Sequence, residues 1–400
     1  MDSRVYEHLL SVNPESIRYA ETGTVFLNTG SPDFPVDGVV KEAINRSIAS
    51  IPHLTYPPTE GSDLLRSEVA RFHTDYLNMP HTAKNILITH GAMHALFVTC
   101  SALVGPGETV LLPHAYWFHF PKIIGQTGAN IKYIPTTDET GFKLTPDLLE
   151  KSIRESDKPK LLILTNPNNP AGTVFTLKEL EGLVKVLENH KDILIISDEV
   201  YNLLLPDRAD ESGVPACRSI GSFGSIKDRV FTINSLAKNY TMSGLRVGYV
   251  AAHERFIGEL TARLRFSTLG VNEYLQAGAR IAIAETERIL AALRRELKER
   301  RDRGGQLLRE IPRLEFIWPE AGYYFAVNVK AYIGLRTPEG NPIENDEDLT
   351  KYLDTMGKVR VVAGTTCATP NYLRVTFAVE KEDFKEGTKR IKNALAALKP

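Results

Sequence analysis

Ser235, Lys238 and Arg246 follow the apolar run VFTIN in the stretch FTINSLAKNYTMSGLRVG, with the hydroxyl three positions before the lysine and the guanidinium eight positions after it. A lysine amine attacks a carbonyl carbon only when unprotonated, and forming a Schiff base with an aldehyde is among the few tasks it does better than any other side chain. A hydroxyl and a planar guanidinium both suit an anchored phosphate. The trio therefore describes a site for an aldehyde that carries a phosphate, and pyridoxal phosphate is such a molecule. A lysine behind a strand is by itself more often a solvated surface group, so the other contacts of the cofactor must come from the rest of the chain.

The elements that would deliver them alternate regularly. From Asn85 onward, short apolar runs (NILITHG, ETVLLPH, IKYIPT, LLILTN, ILIISDEVY, VFTINS) are separated mostly by helical patterns such as AMHALFVTCSALV, LTPDLLEKSI and KELEGLVKVLENH. Strands that are continuously apolar and divided by helices predict a mostly parallel sheet covered on both faces, an α/β protein. Ligands of such sheets bind beyond the carboxyl ends of the strands. The residues at those ends are His90-Gly91-Ala92, Tyr116-Trp117, Asn166 to Gly172, Asp198 to Tyr201 and Ser235 to Lys238.

Ahead of this region, FLNTGSPDFP reads as an ordered loop and Lys41 to Ile51 as a helix, and Ser62 or Asp63 could cap an amphipathic helix carrying Leu65, Val69, Phe72 and Tyr76. Behind it, RVGYVAA is a strand, ERFIGELTARL a helix, and ERILAALRRELKERRDRGGQLLREI a long charged helix with one apolar stripe. The rhythm then changes: LEFIWPEAGYYFAVNV predicts a hairpin, Gly334 to Glu347 a loop, KVRVVAG and NYLRVTFA strands, and KEDFKEGTKRIKNALAAL a closing helix.

The composition fits a small-molecule enzyme. Four hundred residues suggest two or more structural units, and 42% apolar with 24% charged residues supply a sizeable core on a globular surface. A net charge of −1 offers no electrostatic footprint for nucleic acid or an anionic membrane. The N-terminus MDSRVYEHLLSVNPES lacks a basic segment followed by an apolar one, and no run is long and apolar enough to span a bilayer, so a cytoplasmic protein is expected. Cys100, Cys217 and Cys367 have no metal-ligand spacing and are expected to be reduced, with no structural metal.

Taken in order, GSPDFP, Tyr56 ahead of Gly61, THGAMHAL, PHAYW, NPNNPAG, SDEVY, SLAK with its following arginine, and LRVTFA cover nearly the whole chain. In these motifs the sequence resembles the class I/II aminotransferases, the fold type I group of pyridoxal-phosphate enzymes that includes aspartate aminotransferase. The resemblance implies a large cofactor-binding domain at 46–285 and a smaller α+β domain built from 1–45 and 286–400. It also implies a homodimer with shared active sites.

By the same resemblance, Lys238 anchors the cofactor and then moves the α-proton of the substrate. Asp198 would pair with the pyridine nitrogen, although a strand-end aspartate can also simply cap a helix. Tyr201 and Asn169 would bond the cofactor's 3'-oxygen. The Gly91-Ala92-Met93 turn, Ser235, Arg246 and, from the neighbouring subunit, Tyr56 would hold the phosphate. Trp117 would stack on the ring, though Tyr116 is a second aromatic at hand and either could be core. Arg374 would take the substrate α-carboxylate beside the Gly30 backbone and Asn169. Two departures stand out: Ala171 where the family usually has Thr, and Ala363-Gly364 followed by Thr-Thr-Cys where a Pro-Gly pair is common.

The implied reaction moves the amino group of an L-amino acid to a 2-oxo acid in a ping-pong cycle. The same scaffold also supports elimination, cyclisation, decarboxylation or oxidation, since the cofactor supplies one carbanion to all of them. A nucleotide-binding or regulatory module is disfavoured because neither GxGxxG nor GxxxxGK[ST] follows a strand. No second carboxylate-binding arginine is identifiable by spacing, so the substrate side chain stays open.

Overall fold

A seven-stranded sheet carries the strand ends just named, and its alternating side chains explain why it forms. In chain order the described elements begin with β1 (Val25–Phe26), α1 (Gly38–Ser50), α2 (Asp63–Leu77), β2 (Ile86–Thr89) and α3 (Gly91–Leu103). They continue with β3 (Thr109–Pro113), α4 (Phe120–Gly125), β4 (Asn130–Ile134), α5 (Pro146–Glu155), β5 (Pro159–Thr165), α6 (Leu177–Asn189) and β6 (Leu194–Asp198). Then come β7 (Val230–Ser235), the single turn α7 (Leu236–Asn239), β8 (Gly248–Ala251) and α8 (Glu254–Ser267). The computed structural model describes residues 23–208 and 217–400. The reading of Met1–Ser16 as free of a leader, and residues 1–22 of the expected small domain, lie outside the described residues.

The sheet order is β2-β8-β7-β6-β5-β3-β4, parallel from β4 through β7, with β8 antiparallel to both its neighbours. Residues of one parity (Val110, Leu112, Leu161, Ile163, Ile196, Phe231) pack with α3, α4 and α8. Those of the other (Leu111, Leu162, Leu164, Ile195) pack with α5 and α6. Burial of both faces is what a continuous apolar strand requires.

The chain continues through α9 (Glu273–Ala284) and α10 (Thr286–Arg309) into a four-stranded antiparallel sheet, ordered β12-β13-β10-β9. Its strands are β9 (Glu315–Ile317), β10 (Tyr324–Asn328), β12 (Val362–Ala363) and β13 (Tyr372–Thr376), joined by α11 (Asp346–Thr355) and β11 (Val359–Arg360) and closed by α12 (Lys381–Ala396). Pairing of β1 with β11 lays the early chain along this sheet, and Asp33 N–H donating to the Ala378 carbonyl extends the contact. Gly30 is thereby carried towards Lys238.

Sequence periodicity left 271–285 unassigned, whereas the structure forms α9 there, packed on α1 and α2. Its buried face is mostly small residues, Gly278, Ala279 and Ala282, which give a weak apolar signal. A Cβ at Gly278 would lie 2.6 Å from Cγ1 of Ile44, so the small face is what lets α9 and α1 approach. Ser62 is the cap of α2, its Oγ accepting from the Leu65 N–H at 3.3 Å. Among the described residues no helix is long and apolar enough to cross a membrane, and no group of three or more His, Cys, Asp or Glu could hold a metal ion. All three cysteines are buried.

At the sheet's functional end, β8 passes very close to the start of α3. A Cβ on Gly248 would fall 2.7 Å from the Gly91 carbonyl carbon and 2.8 Å from the Ala92 nitrogen, both backbone atoms that cannot rotate away. Gly248→Ala is therefore expected to lower the denaturant midpoint by about 1–3 kcal/mol of stability, the usual cost of overpacking. An unchanged midpoint would mean that the two backbones can separate freely.

Candidate active site

Three strand ends meet in one cavity of about 310 Å³. β7 ends at Ser235, whose Oγ accepts from the Ala237 N–H at 3.1 Å and so caps α7, the turn that presents Lys238. The same hydroxyl donates to the Val247 carbonyl at 3.2 Å. β6 ends at Asp198, and the following residues bring Tyr201 to the same wall. β2 ends before His90, and α3 starts at Gly91 with φ +79, a left-handed value that glycine adopts without strain.

The start of α3 faces a cation. His90 makes no side-chain cap, which leaves the first N–H groups of the helix directed outward, where a helix favours an anion. A Cβ at Gly91 would lie 2.7 Å from Nη2 of Arg246, so the guanidinium rests against this turn. Arg246 itself has φ 54 and donates from Nη1 to the Ser243 carbonyl at 2.9 Å. Helix N–H groups and an exposed guanidinium together form a phosphate-sized cradle.

Across the cavity lies a buried chain of polar groups. The hydroxyls of Tyr324 and Tyr201 are 3.3 Å apart, Asn169 Nδ2 donates to the Tyr201 hydroxyl at 3.4 Å, and Arg374 Nη1 donates to Asn169 Oδ1 at 3.2 Å. Arg374 Nη2 donates to the Asn28 carbonyl at 3.0 Å, and the side chain lies 4.4 Å over the Tyr324 ring. Its Nε has no hydrogen-bond partner although the residue is only 3% exposed. Burying a guanidinium with an unused donor is costly unless an anion completes it.

Electrostatics sharpens the roles these groups can take. Burial lowers the Lys238 ammonium pKa, with the positive charges of Arg374 and Arg246 acting the same way and Tyr324 and Asp198 opposing. The amine donates to the Gly30 carbonyl, which also accepts from the Tyr323 hydroxyl at 2.8 Å. Burial pushes the Asp198 carboxyl up to about 7, against the Val200 N–H at 3.4 Å and the Lys238 charge. The neighbouring Glu199 is also raised to about 7 by burial, opposed by hydrogen bonds from Ser219 and Ser197. Burial likewise raises Tyr201 well above the ordinary phenol. An amine biased towards its neutral form beside a carboxylate lacking a cation partner suits a cationic heterocycle that is also an aldehyde.

Of the residues expected from sequence, Gly30, Ala92, Met93, Trp117, Asn169, Asp198, Tyr201, Ser235, Lys238, Arg246 and Arg374 line this one cavity. Gly91 abuts it through Arg246. Tyr56 does not reach it within the chain: it is 84% exposed and lines a separate cavity with Leu54, His90, Gly270 and Tyr274. Tyr116 turns away, its ring 5.8 Å from that of Tyr133, while Trp117 faces inward.

Sequence reasoning missed Asn28, Phe118, His119 and Tyr324, which also line the cavity. Asn28 acts through its carbonyl, which no sequence signal reveals. Tyr324 lies in the hairpin run LEFIWPEAGYYFAVNV, where the doubled tyrosine in AGYYF is its available signal. The Ala363-Gly364 departure forms a tight turn whose Thr365 N–H and Oγ1 and Asn371 N–H all donate to buried Asp346, at 2.7, 2.6 and 3.1 Å. From it the Cys367 carbonyl accepts from the Tyr116 N–H at 3.2 Å, tying the turn to the Trp117 strip.

The family description aminotransferase class I and II matches residues 22–391. A bifunctional aspartate aminotransferase and glutamate/aspartate-prephenate aminotransferase of Petunia hybrida is 29% identical over 377 residues, covering 94% of this chain and 77% of that protein. The solved aspartate aminotransferase of Rhizobium meliloti superposes with a TM-score of 0.88 at 24% identity, over 98% of this chain and 96% of its own, a likeness of fold. The aromatic aminotransferase of Pyrococcus horikoshii OT3 does so at 0.84 and 25% identity, over 95% and 98% of the two chains.

The burial of Asp198 makes stability depend on pH. Its folded pKa of about 7 lies above the ordinary 3.8, so the native state retains a proton that the unfolded state has lost. Stability attributable to this group is then complete below about pH 4 and is lost as pH rises towards about 7. In protein stripped of small molecules, Asp198→Asn should exceed the wild type at pH 8 by on the order of 1–4 kcal/mol, with the gain shrinking towards pH 4. Denaturant titrations across that range measure it, and a gain that does not vary with pH would discard buried charge as the cause.

Proposed function

The chain belongs to the aminotransferase class I and II family and is a transferase acting on amino acids and 2-oxo acids; from that premise we propose that pyridoxal phosphate is its cofactor, held through Lys238. The observation that carries this reading is the convergence on one cavity of a lysine biased towards neutrality, an unpaired buried carboxylate at Asp198, and the Arg246–helix cradle. The spare Nε of Arg374 supports a carboxylate-bearing substrate in the same space. When bound, the cofactor supplies an aldehyde for the lysine and an electron sink for a carbanion.

Each residue then has a defined task. Asp198, buried at the end of β6, would hold a proton on the ring nitrogen, and that positive partner would keep its own carboxylate ionised. Asn169 and Tyr201 donate to the ring oxygen. Arg246, Ser235 and the N–H groups at the start of α3 grip the phosphate, and Trp117 covers the ring face. Arg374 takes the α-carboxylate and, with Asn169, orients the α-carbon towards Lys238. Lys238 would be the base that carries the proton of that carbon, and the burial that lowers its pKa would leave more of the amine unprotonated and available near neutral pH. The cycle runs as two half-reactions, the amino acid leaving as a 2-oxo acid before a second 2-oxo acid enters.

The exposed Tyr56 and its flanking cavity support a homodimer in which this tyrosine reaches the phosphate of the other subunit.

Two measurements test the reading. Purified protein supplied with pyridoxal phosphate should show the visible absorption of a lysine-bound cofactor, and Lys238→Ala should lose it. A colourless wild type after reconstitution would end the assignment. Arg374→Ala should raise KM for the amino acid about 10- to 100-fold, the worth of a charged hydrogen-bonded pair, while cofactor affinity changes far less. Unaltered amino-acid kinetics would take Arg374 out of the site.

A further inference from the structure

Tyr323, immediately before β10, is fully buried, with its ring 4.7 Å from that of Tyr324 and 5.5 Å from that of Tyr201. Its hydroxyl donates to the Gly30 carbonyl at 2.8 Å, and the Lys238 amine donates to the same oxygen. One backbone acceptor thus joins a phenol beside the four-stranded sheet to the amine just beyond the end of β7. Phenol and carbonyl also share a support. The Tyr323 carbonyl accepts from the Phe377 N–H at 2.9 Å and from Thr376 Oγ1 at 3.3 Å, while the Thr376 N–H donates to the Leu27 carbonyl at 2.9 Å and the Asn28 carbonyl accepts from Arg374 Nη2 at 3.0 Å. The segment 27–30 is therefore tied to β13 where it approaches the amine.

What the phenol does to the amine follows from the shared acceptor. Burial first, then Tyr324 and Tyr201, keeps the Tyr323 phenol protonated well above neutral pH, so it is a donor there. A carbonyl oxygen has two lone pairs and accepts from both groups. The positive ends of phenol and ammonium meet at that oxygen and repel, so the ammonium gains less from Gly30 than it would from an undivided carbonyl. A weaker hydrogen bond to the charged form favours the neutral amine. On the same amine, Arg374 on β13 and Arg246 before β8 act in that direction too, while Tyr324 on β10 and Asp198 on β6 oppose it.

We propose that Tyr323 is a positioning residue that acts through the Gly30 carbonyl to hold the Lys238 amine in place and in its neutral, reactive form. The proposal rests on the reading of Lys238 as the residue that takes the cofactor aldehyde. Because Tyr323 reaches the amine through one backbone oxygen, loss of its hydroxyl is felt in the protonation of the lysine.

Tyr323→Phe removes the hydroxyl and keeps the buried ring, and two measurements on the full chain read the result. In protein stripped of small molecules, competitive labelling with trace acetic anhydride, followed by mass spectrometry on the peptide containing Lys238, gives the fraction of neutral amine at each pH. The midpoint should rise in Tyr323→Phe by about 0.3 to 1 pH unit, the scale of one hydrogen bond. The rate at which added pyridoxal phosphate becomes linked should fall about 2- to 10-fold at pH 7, the same shift expressed as neutral amine, and recover above the new midpoint. The Tyr352 hydroxyl donates to the Ala394 carbonyl at 3.0 Å between α11 and α12, so Tyr352→Phe serves as a buried-tyrosine control and should leave the midpoint in place. An unmoved or lowered midpoint in Tyr323→Phe, or a capture rate reduced equally at every pH as loss of packing alone would give, would overturn the proposal. If the midpoint rises as expected but the cofactor links to another lysine, the Tyr323 assignment stands and the reading of Lys238 as the anchor is the one at fault.

Discussion

The structure depends on keeping one amine poorly solvated between two guanidinium groups. Lys238 sits just beyond the end of a fully buried strand, where burial first and then the charges of Arg374 and Arg246 raise the cost of its proton. That arrangement needs rigid backing, because cations repel and would separate on flexible loops. The backing is the close passage of β8 beside α3, the single turn α7 capped by Ser235, and the antiparallel sheet that carries Arg374 on β13. Each removes freedom that the charges would otherwise use to relax.

Two further features follow from the same constraint. Asp198 and Arg374 both line the cavity, buried and without a salt bridge among the described residues. Each alone would be a liability to folding, and in the proposed reading the ring nitrogen of the cofactor and the carboxylate of the substrate complete them. The hydrogen-bonded chain Tyr324–Tyr201–Asn169–Arg374 links the four-stranded sheet to loops at the end of the seven-stranded one.

Much of this was legible in the sequence because strand ends obey a simple geometric rule. Apolar runs locate the sheet, and the residues just beyond them, Asp198, Lys238 and Asn169, must face one edge. Arg374 was legible for a different reason, through the resemblance carried by LRVTFA. What escaped notice came from elements without such a rule. Asn28 acts through its backbone, Tyr324 depends on how the second sheet docks, and Phe118 and His119 line the cavity on a strip whose Tyr116 N–H is tied to the Cys367 turn. The helix α9 was hidden because tight packing on α1 requires small residues, which blur the periodic pattern.

The central claim is that Lys238 forms the covalent link to the cofactor. Reducing the reconstituted protein with borohydride, digesting it and locating the modified peptide by mass spectrometry tests this most directly. The account predicts a phosphopyridoxyl group on Lys238 in the peptide containing NSLAK, at close to one per chain. Label on another lysine, or none on Lys238 in protein that retains the cofactor, would contradict it.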